Sequence, residues 1–150
     1  MGVSAPSFWV TIQPGVDQAR SRQARALEPA AIQRLAAYDG DWTVLLDHTS
    51  RIVYELGSRS AIGAGPSDIS SIGRRIAAFV HPDDVLFAVD RMEESLSRLG
   101  SEIAFEIRAG SSEDGWRTVE VLAINCLHDP SLDGVILRTR LARADEPGFS

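Results

Sequence analysis

Hydrophobic and polar positions alternate most cleanly over EIAFEIR (102–108). Ile103, Phe105 and Ile107 fall on one face there, and Glu102, Glu106 and Arg108 on the other. A period of two marks a strand with one buried face. VILRTRL (135–141) repeats the pattern, with Val135, Leu137, Thr139 and Leu141 opposite Ile136, Arg138 and Arg140. Between these two, WRTVEVLAI (116–124) is apolar on both faces: Val119, Val121 and Ala123 on one, Trp116, Leu122 and Ile124 on the other. WTVLLD (42–47) behaves similarly. With RIVYEL (51–56) and the turn His48-Thr49-Ser50 it predicts a β-hairpin. SSEDG (111–115) and NCLHDPSLDG (125–134) supply the remaining turn and loop. A sheet wet on one side alternates throughout. Strands apolar on both faces therefore predict a sheet covered on both, the second cover being the N-terminal helices or a second subunit.

After Pro82 the period changes to three and four. Val85, Ala88, Val89, Met92, Leu96 and Leu99 form the apolar stripe of a long helix that Gly100 stops. Nearer the start, Asp17 caps a helix running to about Leu27. Pro29 opens a second, over 29–38, with Ala31, Leu35 and Tyr38 on its apolar face, and Asp39-Gly40-Asp41 ends it. Residues 57–78 are broken by Gly57, Gly63, Gly65, Pro66 and Gly73 into brief helices. Residues 1–16 read as an irregular arm made apolar by Phe8, Trp9, Val10 and Ile12. The division expected is an arm and helical, dimerising cap over 1–39, one domain over 40–142, and a polar tail over 143–150. The element order is that of an α+β fold, an antiparallel sheet with short helices and one long helix on one face, plus N-terminal helices.

Composition narrows the function. The 150 residues carry a net charge of −6, which argues against nucleic acid as a partner, because phosphate binding needs clustered cations. The chain has no lysine, and arginine carries its positive charge. A single cysteine, Cys126, excludes an internal disulfide and a CxxC site, and fits a reducing cytoplasm. No apolar run approaches the ~20 residues of a membrane span. The first residues lack a basic signal-peptide region, and Pro6 breaks the myristoylation pattern, so no membrane partner is expected.

Four motifs stand in order on these elements. Ile62-Gly63 and Gly73-Arg74 lead to His81-Pro82-Asp83-Asp84. Asp114-Gly115-Trp116-Arg117 precedes Val119-Glu120, and Asp129-Pro130 precedes Gly134. From about Gly40 to Leu141 the chain resembles the PAS domain family, in particular the subgroup with an HPDD helix start and a DG…R hairpin. It departs at Thr118, where an aromatic is common, and after the last strand, where Arg140-Leu141-Ala142 replaces a frequent DIT. The resemblance implies a five-stranded antiparallel sheet in the order 2-1-5-4-3, with helices around a small cavity. It also implies a sensory or regulatory role in a bacterial signalling protein, without catalysis.

FVHPDDVLFAVDRM (79–92) crowds a histidine and two aspartates together, as a metal or acid–base site would. Helix-start rules account for most of it. Pro82 suits the first helical position, Asp83 and Asp84 oppose the helix dipole, and Asp84 can bond back to an open N–H. His81 stays unexplained, and His48 and His128 fall in other turns, so neither metal nor catalytic residues are assigned. No GxSxG elbow, P-loop or HExxH is present. The family's photoadduct-forming flavin needs a cysteine in the short-helix region, and 57–78 has none. Its haem uses a histidine on or near the long helix, and only His81 is close, at the very start of that helix, so haem is not expected. Flavin bound without a cysteine stays open. The candidate site is the apolar cavity. Its lining is expected from Ile62, Ile76, Phe79, Val89 and Met92 on the helical side, and from Phe105, Ile107, Val121 and Leu137 on the sheet. With no buried charge in view, the ligand expected is small and apolar. The other partners expected are a second copy of the chain, as a homodimer, and an effector domain or protein. The alternative is a ligand-free homodimerisation module built on the N-terminal segment and the outer sheet face.

Overall fold

Five strands pair into one antiparallel sheet in a computed structural model that describes residues 26–38, 40–64 and 71–142. They are β1 (Trp42–Leu46), β2 (Ile52–Gly57), β3 (Glu102–Ser111), β4 (Gly115–Cys126) and β5 (Gly134–Leu141), in the spatial order β2-β1-β5-β4-β3. This is the fold expected. β1 and β5 lie side by side in the middle, Trp42 opposite Thr139 and Leu46 opposite Val135.

The β1–β2 turn is built by Asp47. Its Oδ1 accepts from the Thr49 N–H at 2.8 Å, the Thr49 hydroxyl at 2.6 Å and the Arg51 N–H at 3.1 Å. Those bonds hold Ser50 at a φ of 66°, a left-handed conformation that an L-residue adopts only when its neighbours compensate. In the β3–β4 hairpin Gly110 has a φ of 145°, and a Cβ there would stand 2.1 Å from the Gly115 carbonyl oxygen. Only glycine lets the two backbones approach this closely.

Each face of the sheet has its own core. The inner face buries Trp42, Val44 and Leu46 of β1 and Val119, Val121 and Ala123 of β4 against the helical side of the molecule. The outer face buries Leu45, Val53, Ile124 and Ile136 against Ala31 and Leu35 of a short helix, α1 (Pro29–Ala36). The double-sided apolar strands thus have the cover they called for. The apolar arm, the polar tail and all of the helix expected over 17–27 except Ala26 and Leu27 lie outside the described residues, and those two are not helical. α1 ends two residues earlier than its sequence suggests. An ion pair from Arg34 to Asp129 ties it to the β4–β5 loop. Hydrogen bonds from Ser131 and then from Arg34 hold the Asp129 carboxyl well below the usual carboxylate range.

On the inner side, 3₁₀ turns at Arg59–Ile62, Ile76–Phe79 and Pro82–Asp84 precede the long helix α2 (Val85–Leu96). α2 stops short of Gly100, and Leu99 is exposed. The reason is a tertiary cap. Buried Asn125, on β4, donates from Nδ2 to the carbonyls of Ser95 and Arg98 at 3.1 Å each, and its own carbonyl accepts the Gly100 N–H at 2.9 Å. Carbonyls that would have continued the helix are taken by another element.

Candidate functional site

The HPDD segment is a joint between α2 and the sheet. Val80 forms an antiparallel bridge with Ala109, and the His81 N–H donates to the Arg108 carbonyl at 2.9 Å. His81 then caps the helix start itself: its Nδ1 accepts the Asp83 N–H at 3.0 Å. This accounts for the residue that helix-start rules left over. Histidine is not among the common caps, so the composition of the segment did not signal it.

Asp84 departs from expectation. It makes no bond back into its own helix. Its carboxylate instead receives the Arg108 guanidinium through Nε and Nη2 at 2.9 Å each, and the Arg108 N–H at 2.8 Å. A two-pronged charged partner outcompetes a single helix-end N–H. The Arg108 side-chain hydrogen bond holds the Asp84 carboxyl below its ordinary value. The polar groups of the stretch thus dock α2 on β3. His48 and His128 lie in separate turns, as read from the sequence.

Between α2 and the inner face lies a cavity of about 30 Å³. Ile62, Ile76, Phe79 and Met92 bound it on the helical side, and Phe105, Ile107, Val121 and Leu137 on the sheet side. Val89 does not line it. That residue is half-buried, and Ala88, at 2% exposure, takes its place. α2 buries Ala88, Met92 and Ser95, a stripe of spacings four and three that passes Val89 by. The sequence reading also missed Trp42 and Thr139 on the wall. Strand alternation was the available signal, since Trp42 shares its face with Val44, and Thr139 with Leu137.

The polar atoms of these two residues are turned away into the protein. Trp42 Nε1 donates to Glu55 Oε1 at 2.8 Å, and the Thr139 hydroxyl donates to the Trp42 carbonyl at 2.6 Å. The wall therefore presents hydrocarbon. A buried water needs two to four polar partners, which this space does not provide, and a cavity that holds benzene is about 150 Å³. The chamber suits an apolar occupant smaller than benzene.

One part of the wall differs. Phe79 meets Trp42 edge-to-face, with centroids 5.6 Å apart. It also carries two guanidinium groups, Arg59 with its Cζ 5.2 Å from the ring centroid and Arg74 at 4.8 Å. Arg74 is exposed, whereas Arg59 is only 3% exposed. Arg59 is held by the Ala64 carbonyl and the Ser71 hydroxyl, each at 3.2 Å. The absence of buried charge assumed from the sequence is thereby corrected. The first 3₁₀ turn folds the arginine inward, where its donors find partners. On the outer side, burial pushes the Cys126 thiol and the Tyr38 phenol up, which keeps both groups neutral.

No protein-family model and no curated protein matches the sequence. Solved structures do match. A PAS domain from Colwellia psychrerythraea is 18% identical with a TM-score of 0.59, over 77% of this chain and 98% of that one. The PAS domain of an HTR-like protein from Haloarcula marismortui is 20% identical with a TM-score of 0.52, over 77% and 100%. The PAS-B domain of Cycle from Drosophila melanogaster, solved with bound ethylene glycol, is 10% identical with a TM-score of 0.53, over 67% and 99%. At these identities the likeness is one of fold, and the fold is that of PAS domains.

Proposed function

We propose that the chain is a sensory or regulatory domain of PAS type that binds a small ligand, or a protein partner, in or around its apolar cavity and catalyses no reaction. The observation that carries this reading is unfilled space in the inner core. A core packed only for stability closes such space, because the side chains around it forfeit contacts. Here the space lies beneath a helix tethered at both ends to the sheet, by Asp84–Arg108 and by Asn125. An occupant would press on α2, and those tethers would pass the displacement to β3 and β4. The HPDD and DG…R motifs support placement in the subgroup that carries them. A cytoplasmic bacterial signalling protein, acting through an effector domain or partner, is the setting we propose. The test is an absorbance spectrum of the purified protein, mass spectrometry of its denatured extract, and thermal unfolding under xenon. A released small molecule, or a rise in Tm under xenon, supports the reading. An empty extract with no shift overturns ligand binding in the cavity.

A second reading is a homodimerisation module using the N-terminal segment and the outer sheet face. It is favoured by Tyr54, Leu56 and Leu122, which pack on the outer cluster but stay only partly covered. Light scattering of the full chain across concentrations tests it, and a monomer throughout rules it out.

A further inference from the structure

We infer that the open edge of β3 docks a protein partner by strand addition, and that the strand it takes is extended and cationic, with Lys or Arg alternating with apolar side chains. The inference goes beyond the cavity reading and does not depend on what the chamber holds.

β3 is the last strand of the sheet, paired with β4 on one side only. The Asn125 N–H donates to the Ser101 carbonyl at 3.1 Å, which fixes the parity of the ladder: odd-numbered residues bond to β4, and even-numbered ones turn their N–H and C=O outward. Arg108 obeys this parity. Its carbonyl accepts the His81 N–H at 2.9 Å, and its own N–H donates to Asp84. At that end the edge already takes an added chain, since Val80 bridges Ala109. Further along, Glu102, Ala104 and Glu106 are exposed, and their outward backbone groups bond to none of the described residues. Such an edge is a template for another strand, which gains affinity from main-chain hydrogen bonds.

The side chains select the strand. Glu106 stands directly opposite Glu120 on β4, a like-charge pair that costs stability. Arg140 comes no nearer to Glu120 than 3.7 Å, so the row Glu106–Glu120–Arg140 is net negative, and Glu102 adds another carboxylate along the edge. An added strand sets its own side chains opposite Glu102 and Glu106, where Lys or Arg is favoured and Asp or Glu opposed. Its alternate side chains fall on the inner side, beside Phe105 and Phe87 of α2, whose rings meet edge-to-face at 6.2 Å. Phe87 is 48% exposed and offers that contact. Arg91 lies over Phe87, but Asp90 and Glu94 pair with its guanidinium and offset its charge. The same carboxylates oppose a second copy of the chain. Antiparallel self-pairing about Ala104 sets Glu102 of each copy against Glu106 of the other, and a slide toward Arg108 meets Val80 and His81.

The probe is the labelled peptide Ser-Lys-Val-Thr-Val-Lys-Ser, compared with the same peptide carrying Glu for both Lys. Fluorescence anisotropy on the full chain at low salt should show the Lys peptide binding about 20-fold more tightly, from cross-strand charge pairs reversed at both positions. Hydrogen exchange by NMR supplies the location. The Ala104 and Glu106 amides should exchange freely in the chain alone and slow when the Lys peptide binds. Ala104→Pro removes an N–H that faces solvent, a change an edge strand tolerates, and should abolish binding. If that variant does not fold, Glu106→Lys decides: it relieves the contact with Glu120 and should weaken the Lys peptide about fivefold. Equal affinity for the two peptides, binding that leaves those amides unprotected, or no binding of the Lys peptide overturns the proposal. So does protection of the Ala104 and Glu106 amides in the chain alone, which shows the edge already taken, by a second copy if the protection grows with concentration and by the chain itself if it does not. The xenon measurement judges the cavity reading separately.

Discussion

Met92→Ala probes the chamber most directly. Met92 is 1% exposed and forms part of its wall. Truncation removes a methylene, a sulfur and a methyl group from the core. At about 0.8 kcal/mol per buried methylene-sized group, the lost transfer energy is about 2 kcal/mol. The space left behind adds to this. At about 24 cal/mol per Å³, every 40 Å³ or so that the surroundings fail to close costs about 1 kcal/mol more. Closure is hindered because the new space merges with a chamber of about 30 Å³ that the native packing already leaves open. The expected loss is thus about 3–4 kcal/mol, inside the range seen for such truncations. Urea unfolding should show a lower midpoint at unchanged slope. The enlarged chamber should then accept benzene. At a concentration about a hundredfold above its Kd, benzene should return about 2.7 kcal/mol. A loss below about 1 kcal/mol, or a variant indifferent to benzene, would show that Met92 does not face a persistent chamber and would refute the packing argument.

The tethers and turns give further tests. Asn125→Leu removes one hydrogen bond each from the Ser95 and Arg98 carbonyls and the Leu127 N–H, and should cost about 2–4 kcal/mol in urea unfolding, at about 1 kcal/mol or more per lost bond. Gly110→Ala meets a backbone oxygen at 2.1 Å and a φ of 145°; a loss of at least about 2 kcal/mol is expected, and retention of full stability would contradict the hairpin geometry. The Asp84 contact makes stability pH-dependent in a definite sense. Its folded pKa is lowered, so its contribution is complete above the unfolded value of about 3.9 and is lost as pH falls through the lower folded value. The stability gap between wild type and Asp84→Asn should therefore narrow between about pH 5 and pH 2, and a gap constant across that range would be the wrong result.

Much of the fold was legible in the chain. Alternation over 102–108 and 135–141 announced β3 and β5, and the double-sided strand over 116–124 announced a sheet covered on both faces, as α1 and the inner helices prove to do. Alternation also put Phe105, Ile107, Val121 and Leu137 on one inner face, and they do line the chamber. These readings succeed because they depend on a side chain's direction relative to its own backbone, which neighbours along the chain determine.

What only the tertiary structure decided are the features whose partners come from far along the chain. Asp84 answers to Arg108, 24 residues away, and not to its own helix. α2 ends where Asn125, 30 residues beyond Ser95, claims its carbonyls. Ala88 and not Val89 faces the chamber because docking on β3 sets the rotation of the helix, and a stripe of spacings three and four fits either residue. Arg59 is buried because folding supplies it with acceptors, the Ala64 carbonyl and the Ser71 hydroxyl among them, and an aromatic face, which no local pattern records. Periodicity specifies which side of an element is apolar. Empty space and charge compensation are properties of several elements meeting, and they exist only once the sheet and α2 have closed on each other.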